Sequence, residues 1–217
     1  MKKRQGKKNI LICIDRDGTL IYDKKYHLGH QRNWKPLVRF FPGVINGLKL
    51  LKKIHNCKIY IISNQPGVAI KEFPLLTRKK AEEVCNYVLS MLEKKGVKLN
   101  GCEICGYAYP EYVKRKKGEF TFYKELVGNY QCVKPRPGMI NNTLKKVGWT
   151  KKNTKIYVLG DRESDIKTAI NAKGFGIFVP FVEKPDEQEK VRKLKNKNIY
   201  ISKDFLDACN FIIQKEK

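Results

Sequence analysis

Residues 9–19 read Asn9-Ile10-Leu11-Ile12-Cys13-Ile14-Asp15-Arg16-Asp17-Gly18-Thr19. The run 9–15 is continuously apolar until it ends in a carboxylate. A run without polar alternation reads as a strand buried on both faces, as in parallel sheets. Two carboxylates, Asp15 and Asp17, then stand two residues apart where the chain leaves that strand. Gly18 permits the bend that turns both toward one point. Carboxylates crowded together without a cation raise one another's pKa. A hard divalent ion such as Mg²⁺ relieves that repulsion, binding a few carboxylates, water and phosphate oxygens.

The same pattern recurs outward from this segment. Residues 58–63 form a second buried strand, and 155–160, 175–179 and 198–201 complete the apolar series. Residues 102–109 form a further strand candidate. Between them the spacing predicts helices over 44–55, 77–95, 137–147, 163–172 and 203–214. Thr77 stands at an N-cap position, and Gly96 and Gly148 stand at helix ends. Strands alternating with helices predict an α/β fold, a Rossmann-like parallel sheet with helices on both faces. One domain is expected over 9–217, with an insertion at about 109–133 and a basic tail at 1–8.

In such sheets ligands bind at the carboxyl ends of the strands. Asp15, Ser63 and Asp161 each close a buried strand there. Asp161 opens Gly160-Asp161-Arg162-Glu163-Ser164-Asp165. Asp161 is a candidate metal ligand, and Asp165, one turn into the helix, either supports the metal site or holds a lysine. Ser63-Asn64-Gln65 offers a hydroxyl and backbone N–H groups to a phosphoryl oxygen. Lys134 sits in the stiff frame Lys134-Pro135-Arg136-Pro137-Gly138-Met139, where a directed ammonium offsets negative charge developing on a transferring phosphate.

Composition sets the outer bounds. The chain has 217 residues, 41% of them hydrophobic, and a formal net charge of +25. That content suits a packed core and excludes a disordered chain. No apolar run approaches the roughly 20 residues of a membrane span. The N-terminus lacks the pattern of a secretory signal, so a cytoplasmic location is expected. Lys supplies 37 of the 46 basic residues, spread along the chain, which favours a general lysine bias over a nucleic-acid stripe. Seven cysteines, an odd number without a signal peptide, predict reduced thiols. Cys102 and Cys105, three apart on a strand, point to opposite faces and do not share a metal.

Taken together, Asp15-x-Asp17-Gly18-Thr19, Ser63-Asn64-Gln65, Lys134 and Gly160-Asp161-x-x-x-Asp165 resemble the haloacid dehalogenase superfamily of phosphohydrolases, in its motif order. Phe41-Pro42-Gly43-Val44, Ser63-Asn64-Gln65-x-Gly67-Val68-Ala69 and Lys134-Pro135-Arg136-Pro137-Gly138-Met139 are similar to the subfamily IIIA branch of heptose bisphosphate and histidinol-phosphate phosphatases. The resemblance implies a phosphatase with a small cap or none, acting as a monomer on a small phosphorylated metabolite such as a heptose bisphosphate or histidinol phosphate. It implies Asp15 as nucleophile forming an aspartyl-phosphate, Asp17 as general acid and base, and Ser63 and Lys134 holding the phosphoryl group. Mg²⁺ would be held by Asp15, the backbone carbonyl of Asp17 and Asp161, with Asp165 in support. Substrate-facing positions would include Gly18, Thr19, Asp23 to Tyr26, Ser63 to Pro66, Arg136 and Arg162.

The chain departs from that branch at its zinc loop. Cys105 and Cys132 match two ligands, but Tyr107 and Tyr130 replace the others. Two ligands of four do not close a tetrahedral site, so no structural zinc is expected and the insertion's aromatics order it instead. Val133 replaces an arginine that helps choose the heptose substrate. Two alternatives stand beside this reading. The charge and the aromatic, basic segment 107–124 fit a polynucleotide 3′-phosphatase. A non-catalytic nucleic-acid-binding module on the same fold is disfavoured by the complete set of carboxylates.

Overall fold

The computed structural model describes residues 8–22 and 27–217. All but Lys8 of the expected tail, and Asp23 to Tyr26 among the expected substrate-facing positions, lie outside the described residues. Six parallel strands form one sheet: β1 (Asn9–Ile14), β2 (Cys57–Asn64), β3 (Gly101–Cys105), β4 (Thr154–Gly160), β5 (Phe175–Phe178) and β6 (Ile199–Ile201). Their order is β3-β2-β1-β4-β5-β6. β1 therefore lies between β2 and β4, where the winding direction reverses. That reversal opens a crevice at the strands' carboxyl ends.

The described residues form seven α-helices, α1 (Val44–Leu51), α2 (Arg78–Lys94), α3 (Pro110–Arg115), α4 (Gly138–Lys146), α5 (Glu163–Asn171), α6 (Pro185–Lys193) and α7 (Phe205–Glu216), of which all but α3 cover the sheet. Strand β1 shows why both faces are covered. Ile10, Ile12 and Ile14 enter one core with Val44, Leu48, Val84, Val88 and Ile212 from α1, α2 and α7. Leu11 and Cys13 point the other way, against Met139, Ile140, Leu144 and Ala169 of α4 and α5. The run 9–14 has no polar side because neither side meets water. Thr77 caps α2, its hydroxyl accepting from the Lys80 N–H at 3.1 Å.

The structure differs from the sequence reading in particular places. The strand expected over 102–109 ends at Cys105. Beyond it the backbone turns to pair within the insertion, Ala108 N–H donating to Leu126 and Gly128 N–H to Ala108. The helix expected over 44–55 stops at Leu51. Helix α6 was not anticipated, because Val191 is its only fully buried side chain and no apolar period marks it. Its ends carry the signal instead: Pro185 in the first turn with Asp186 and Glu187, and Arg192 and Lys193 in the last. This charge order complements the helix dipole.

The expectation of reduced thiols is corrected at Cys105 and Cys132, which form a disulfide across a Cα–Cα distance of 5.5 Å. The sequence reading missed it because the end of β3 and the approach to Lys134 meet only in the fold. Tyr107 and Tyr130 stack beside it with ring centres 3.7 Å apart. The insertion is also tied to the loop after β2. Tyr123 N–H donates to Ala69, Lys71 N–H donates to Thr121, and Glu72 accepts from the Thr121 hydroxyl at 2.7 Å. Cys102 packs in the core opposite to that of Cys105, as expected for residues three apart on a strand.

Two consequences are measurable. Alkylation of the denatured protein without reductant, followed by mass analysis, should modify five cysteines: 13, 57, 85, 102 and 209. Cys105→Ser should lower unfolding stability by about 2–4 kcal/mol in a urea titration, since the bridge closes a 27-residue separation.

Candidate active site

Three strand ends supply the polar groups at the crevice. Asp15 follows β1, its N–H donating to Leu159 of β4 at 2.8 Å. Ser63 lies near the end of β2, and Asp161 follows β4. All three are buried. Among the described residues, Asp15, Asp161 and Asp165 each offer a carboxylate oxygen within 4.8 Å of the others. Lys134 joins two of them, its Nζ donating to Asp15 Oδ1 and to Asp165 Oδ1, each at 2.5 Å. Asp165 also accepts from the Arg162 N–H through Oδ2 at 3.1 Å. Asp165 thus holds the lysine and caps the start of α5.

Gly18 makes this convergence sterically possible. Its φ is +93°, and a Cβ added there would lie 2.5 Å from Asp161 Oδ2. A side chain would force the two strand-end loops apart. Thr19 donates to Asp161 Oδ1 at 3.2 Å. Its hydroxyl thereby orients an acid.

Asp17 is held from two sides. Arg16, fully buried, donates from Nε to Oδ1 and from Nη2 to Oδ2, both at 2.8 Å. Gln65 Nε2 donates to Asp17 Oδ2 at 2.7 Å and to Ser63 Oγ at 2.8 Å. Asn64 clamps Lys134. Its Oδ1 accepts from the Lys134 N–H at 3.0 Å and its Nδ2 donates to the Lys134 carbonyl at 3.3 Å. The Lys134–Pro135 peptide is cis.

The charges are strongly perturbed. Burial pushes Asp15 up to about 8, and although Lys134 pulls it down, the carboxylates of Asp165, Asp161 and Asp17 push it higher. Burial opposes the charge on Lys134, but Asp15 and Asp165 more than offset this and hold the ammonium protonated. Burial would raise Asp17 too, yet Arg16 and Gln65 hold it below the usual carboxylate range. Such opposed shifts within one cleft mark a site built for chemistry.

The cavity over these groups has a volume of about 660 Å³. Asp15, Asp17, Ser63, Asn64, Gln65, Lys134 and Arg162 line its floor and one side. Arg136 is not in this lining; its guanidinium donates to Asn129 at 3.1 Å at the base of the insertion. The far wall contains His27, Tyr109, Tyr112, Lys116, Glu119 and Phe120. His27, Lys116 and Glu119 escaped the sequence reading. The available signal was the aromatic, basic character of 107–124, which marks a segment without showing which side chains turn inward. Burial lowers the His27 pKa to about 4, against the pull of Asp17.

The sheet order, the acids on adjacent strand ends and the bridging lysine define a phosphatase of the haloacid dehalogenase superfamily. The chain belongs to the polynucleotide kinase 3 phosphatase family, whose model matches residues 10–198. It is similar to the histidine biosynthesis bifunctional protein HisB of Buchnera aphidicola subsp. Acyrthosiphon pisum, 31% identical over 170 residues. That match covers 78% of this chain and 40% of the relative. The HisB protein of Blochmanniella floridana is 30% identical over 161 residues, covering 74% of this chain and 38% of the relative. The chain thus spans about two fifths of the length of these relatives. The fold is also that of D,D-heptose 1,7-bisphosphate phosphatase from B. bronchiseptica. It has a TM-score of 0.68 and 16% identity, covering 94% of this chain and 98% of that one. Among the described residues no helix is long and apolar enough to cross a membrane.

Two measurements test the electrostatics. Lys134→Met should destabilise the protein by about 3–5 kcal/mol in denaturant titration, because it leaves buried carboxylates unpaired. The depressed pKa of His27 means the unfolded chain takes up its proton first as pH falls. This residue's contribution to stability is present above about 6.5 and lost as pH falls through about 4. His27→Gln should therefore flatten the fall in stability between those pH values by roughly 2 kcal/mol.

Proposed function

We propose that the protein is a Mg²⁺-dependent phosphomonoester hydrolase that works through an aspartyl-phosphate on Asp15, with a small phosphorylated metabolite as substrate. The observation that carries this reading is the meeting of Asp15, Asp161 and Asp165 around the Lys134 ammonium. Three carboxylates against two ammonium groups, Lys134 on Asp15 and Asp165 and Lys184 on Asp161, leave one excess negative charge, which suits a hard divalent cation. Asp15 and Asp161, with the backbone carbonyl of Asp17, would hold it, and Asp165 would support them through Lys134. When bound, the cation neutralises charge on the phosphoryl oxygens and favours the ionised form of Asp15. The B. bronchiseptica protein of the same fold was crystallised with magnesium and phosphate.

In the first step a carboxylate oxygen of Asp15 attacks phosphorus, and the bond from phosphorus to the leaving alcohol breaks. Asp17 delivers a proton to that alcohol. Its pairing with Arg16 favours the ionised form in the free enzyme. The approach of an anionic ester raises its pKa and supplies the protonated acid. In the second step Asp17 takes a proton from water as that water attacks phosphorus, and the Asp15 carboxylate is released with inorganic phosphate. Lys134 donates to the transferring oxygens and is held charged throughout. The Ser63 oxygen already accepts from Gln65, which leaves its own O–H to point at a phosphoryl oxygen.

The size of the cavity supports a metabolite as substrate. About 660 Å³ lies within the range of small-molecule sites, and the insertion closes its far side. Similarity to HisB proteins and to the heptose bisphosphatase fold supports histidinol phosphate or a sugar bisphosphate. A second reading, a polynucleotide 3′-phosphatase, is favoured by the family match and by Tyr109, Tyr112, Phe120 and Lys116 on the cavity wall, which suit base stacking and backbone contact.

Asp15→Asn should reduce turnover of p-nitrophenyl phosphate at least about 1,000-fold, and a chelator should abolish it reversibly; full turnover by Asp15→Asn would refute the nucleophile assignment. Gln65→Leu should lower kcat by about 10–100-fold with little change in stability, since it orients both Ser63 and Asp17. Ranking heptose bisphosphate, histidinol phosphate and a 3′-phosphorylated oligonucleotide by kcat/KM separates the readings. A metabolite is expected to lead by about tenfold or more, equivalent to about 1.4 kcal/mol.

A further inference from the structure

One charged contact at the acid cluster has no part in the chemistry above. Lys184, at the connection between β5 and α6, places Nζ 2.9 Å from Asp161 Oδ2. Asp161 is fully buried, whereas the Lys184 side chain is 21% exposed. The same ammonium lies 4.9 Å from the centre of the Phe181 ring. We propose that Lys184 is a releasable counter-ion for Asp161 that competes with the divalent cation and so sets metal affinity. This inference rests on the reading that the acid cluster holds the metal.

The two lysines at the cluster differ in a way that supports distinct tasks. Lys134 is 4% exposed, bridges two carboxylates and is clamped through its backbone by Asn64. Lys184 makes a single ion pair, reaches in from the surface on a flexible stem and keeps a partly wet side chain. An ammonium and a divalent cation on one buried carboxylate repel each other, and burial weakens the screening between them. Withdrawal of Lys184 relieves that repulsion. Thr19 remains on Asp161 Oδ1 and keeps the carboxylate oriented during the exchange.

Isothermal titration calorimetry with MgCl₂ on the whole protein tests the proposal, using wild type, Lys184→Met, Lys184→Gln, Lys184→Arg and Asp161→Asn. Both neutral variants should bind Mg²⁺ about tenfold more tightly, which corresponds to about 1.4 kcal/mol, and Lys184→Arg should stay near wild type. In chelator the neutral variants should melt several degrees below wild type, and saturating Mg²⁺ should close that gap. Unchanged or weaker Mg²⁺ binding in the neutral variants would overturn the proposal, the weaker case showing that Lys184 orients Asp161. A wild type whose Mg²⁺ affinity is unaffected by Asp161→Asn would instead remove the metal reading itself, and this proposal with it.

Discussion

The ammonium of Lys134 between Asp15 and Asp165 is the contact on which the arrangement of the crevice depends. Each of the three groups comes from a different segment: the end of β1, the approach to α4 and the first turn of α5. A charge buried alone is costly, so the groups are stable there only as a set. The set can form because β4 pairs directly with β1, which brings the loop after β4 beside Asp15. The apolar strands thus act on the site indirectly, by fixing which strand ends are neighbours.

A second layer of contacts turns proximity into direction. Arg16 and Gln65 hold both oxygens of Asp17, and Gln65 carries the same constraint to Ser63. Asn64 does the equivalent for Lys134 through its backbone. A crevice built this way loses little freedom when a phosphoryl group arrives, since its donors already point inward. The perturbed pKa values of Asp15 and Asp17, pushed in opposite directions, are the electrostatic trace of the same construction.

The floor and the far wall of the cavity answer to different constraints. The floor is carried by the strand ends of a fold shared with the heptose bisphosphatase at 16% identity. Apart from His27, the far wall comes from segment 109–120, fastened by the Cys105–Cys132 bridge, the Tyr107–Tyr130 stack and backbone bonds to the loop after β2. Chemistry anchored to a rigid sheet and selectivity placed on an inserted segment is a general division of labour in such folds.

The parallel sheet, both helical layers and the floor acids were legible in the residues alone. Buried strands have a continuous apolar signature, and Asp15, Ser63 and Asp161 each stand at the end of one. Lys134 was legible because prolines frame it. Helix α6 was not, since its stability comes from its ends and its charges instead of an apolar stripe. Nor were Lys184, His27, Lys116 and Glu119: a lysine among 37 carries no mark of where its side chain points, and His27 and Glu119 stand in no motif. The hydrogen-bond partners of Thr19 and Asn64 were not legible for a related reason: their capacity is evident from type, but Asp161 and the Lys134 backbone are distant in sequence. Local sequence determined the strands, the helices and the chemical groups offered at the strand ends, because those follow from short-range periodicity and residue type. Only the tertiary structure decided which groups meet, which cysteines bond and which lysine faces which acid, because those depend on distances between segments that the chain itself keeps far apart.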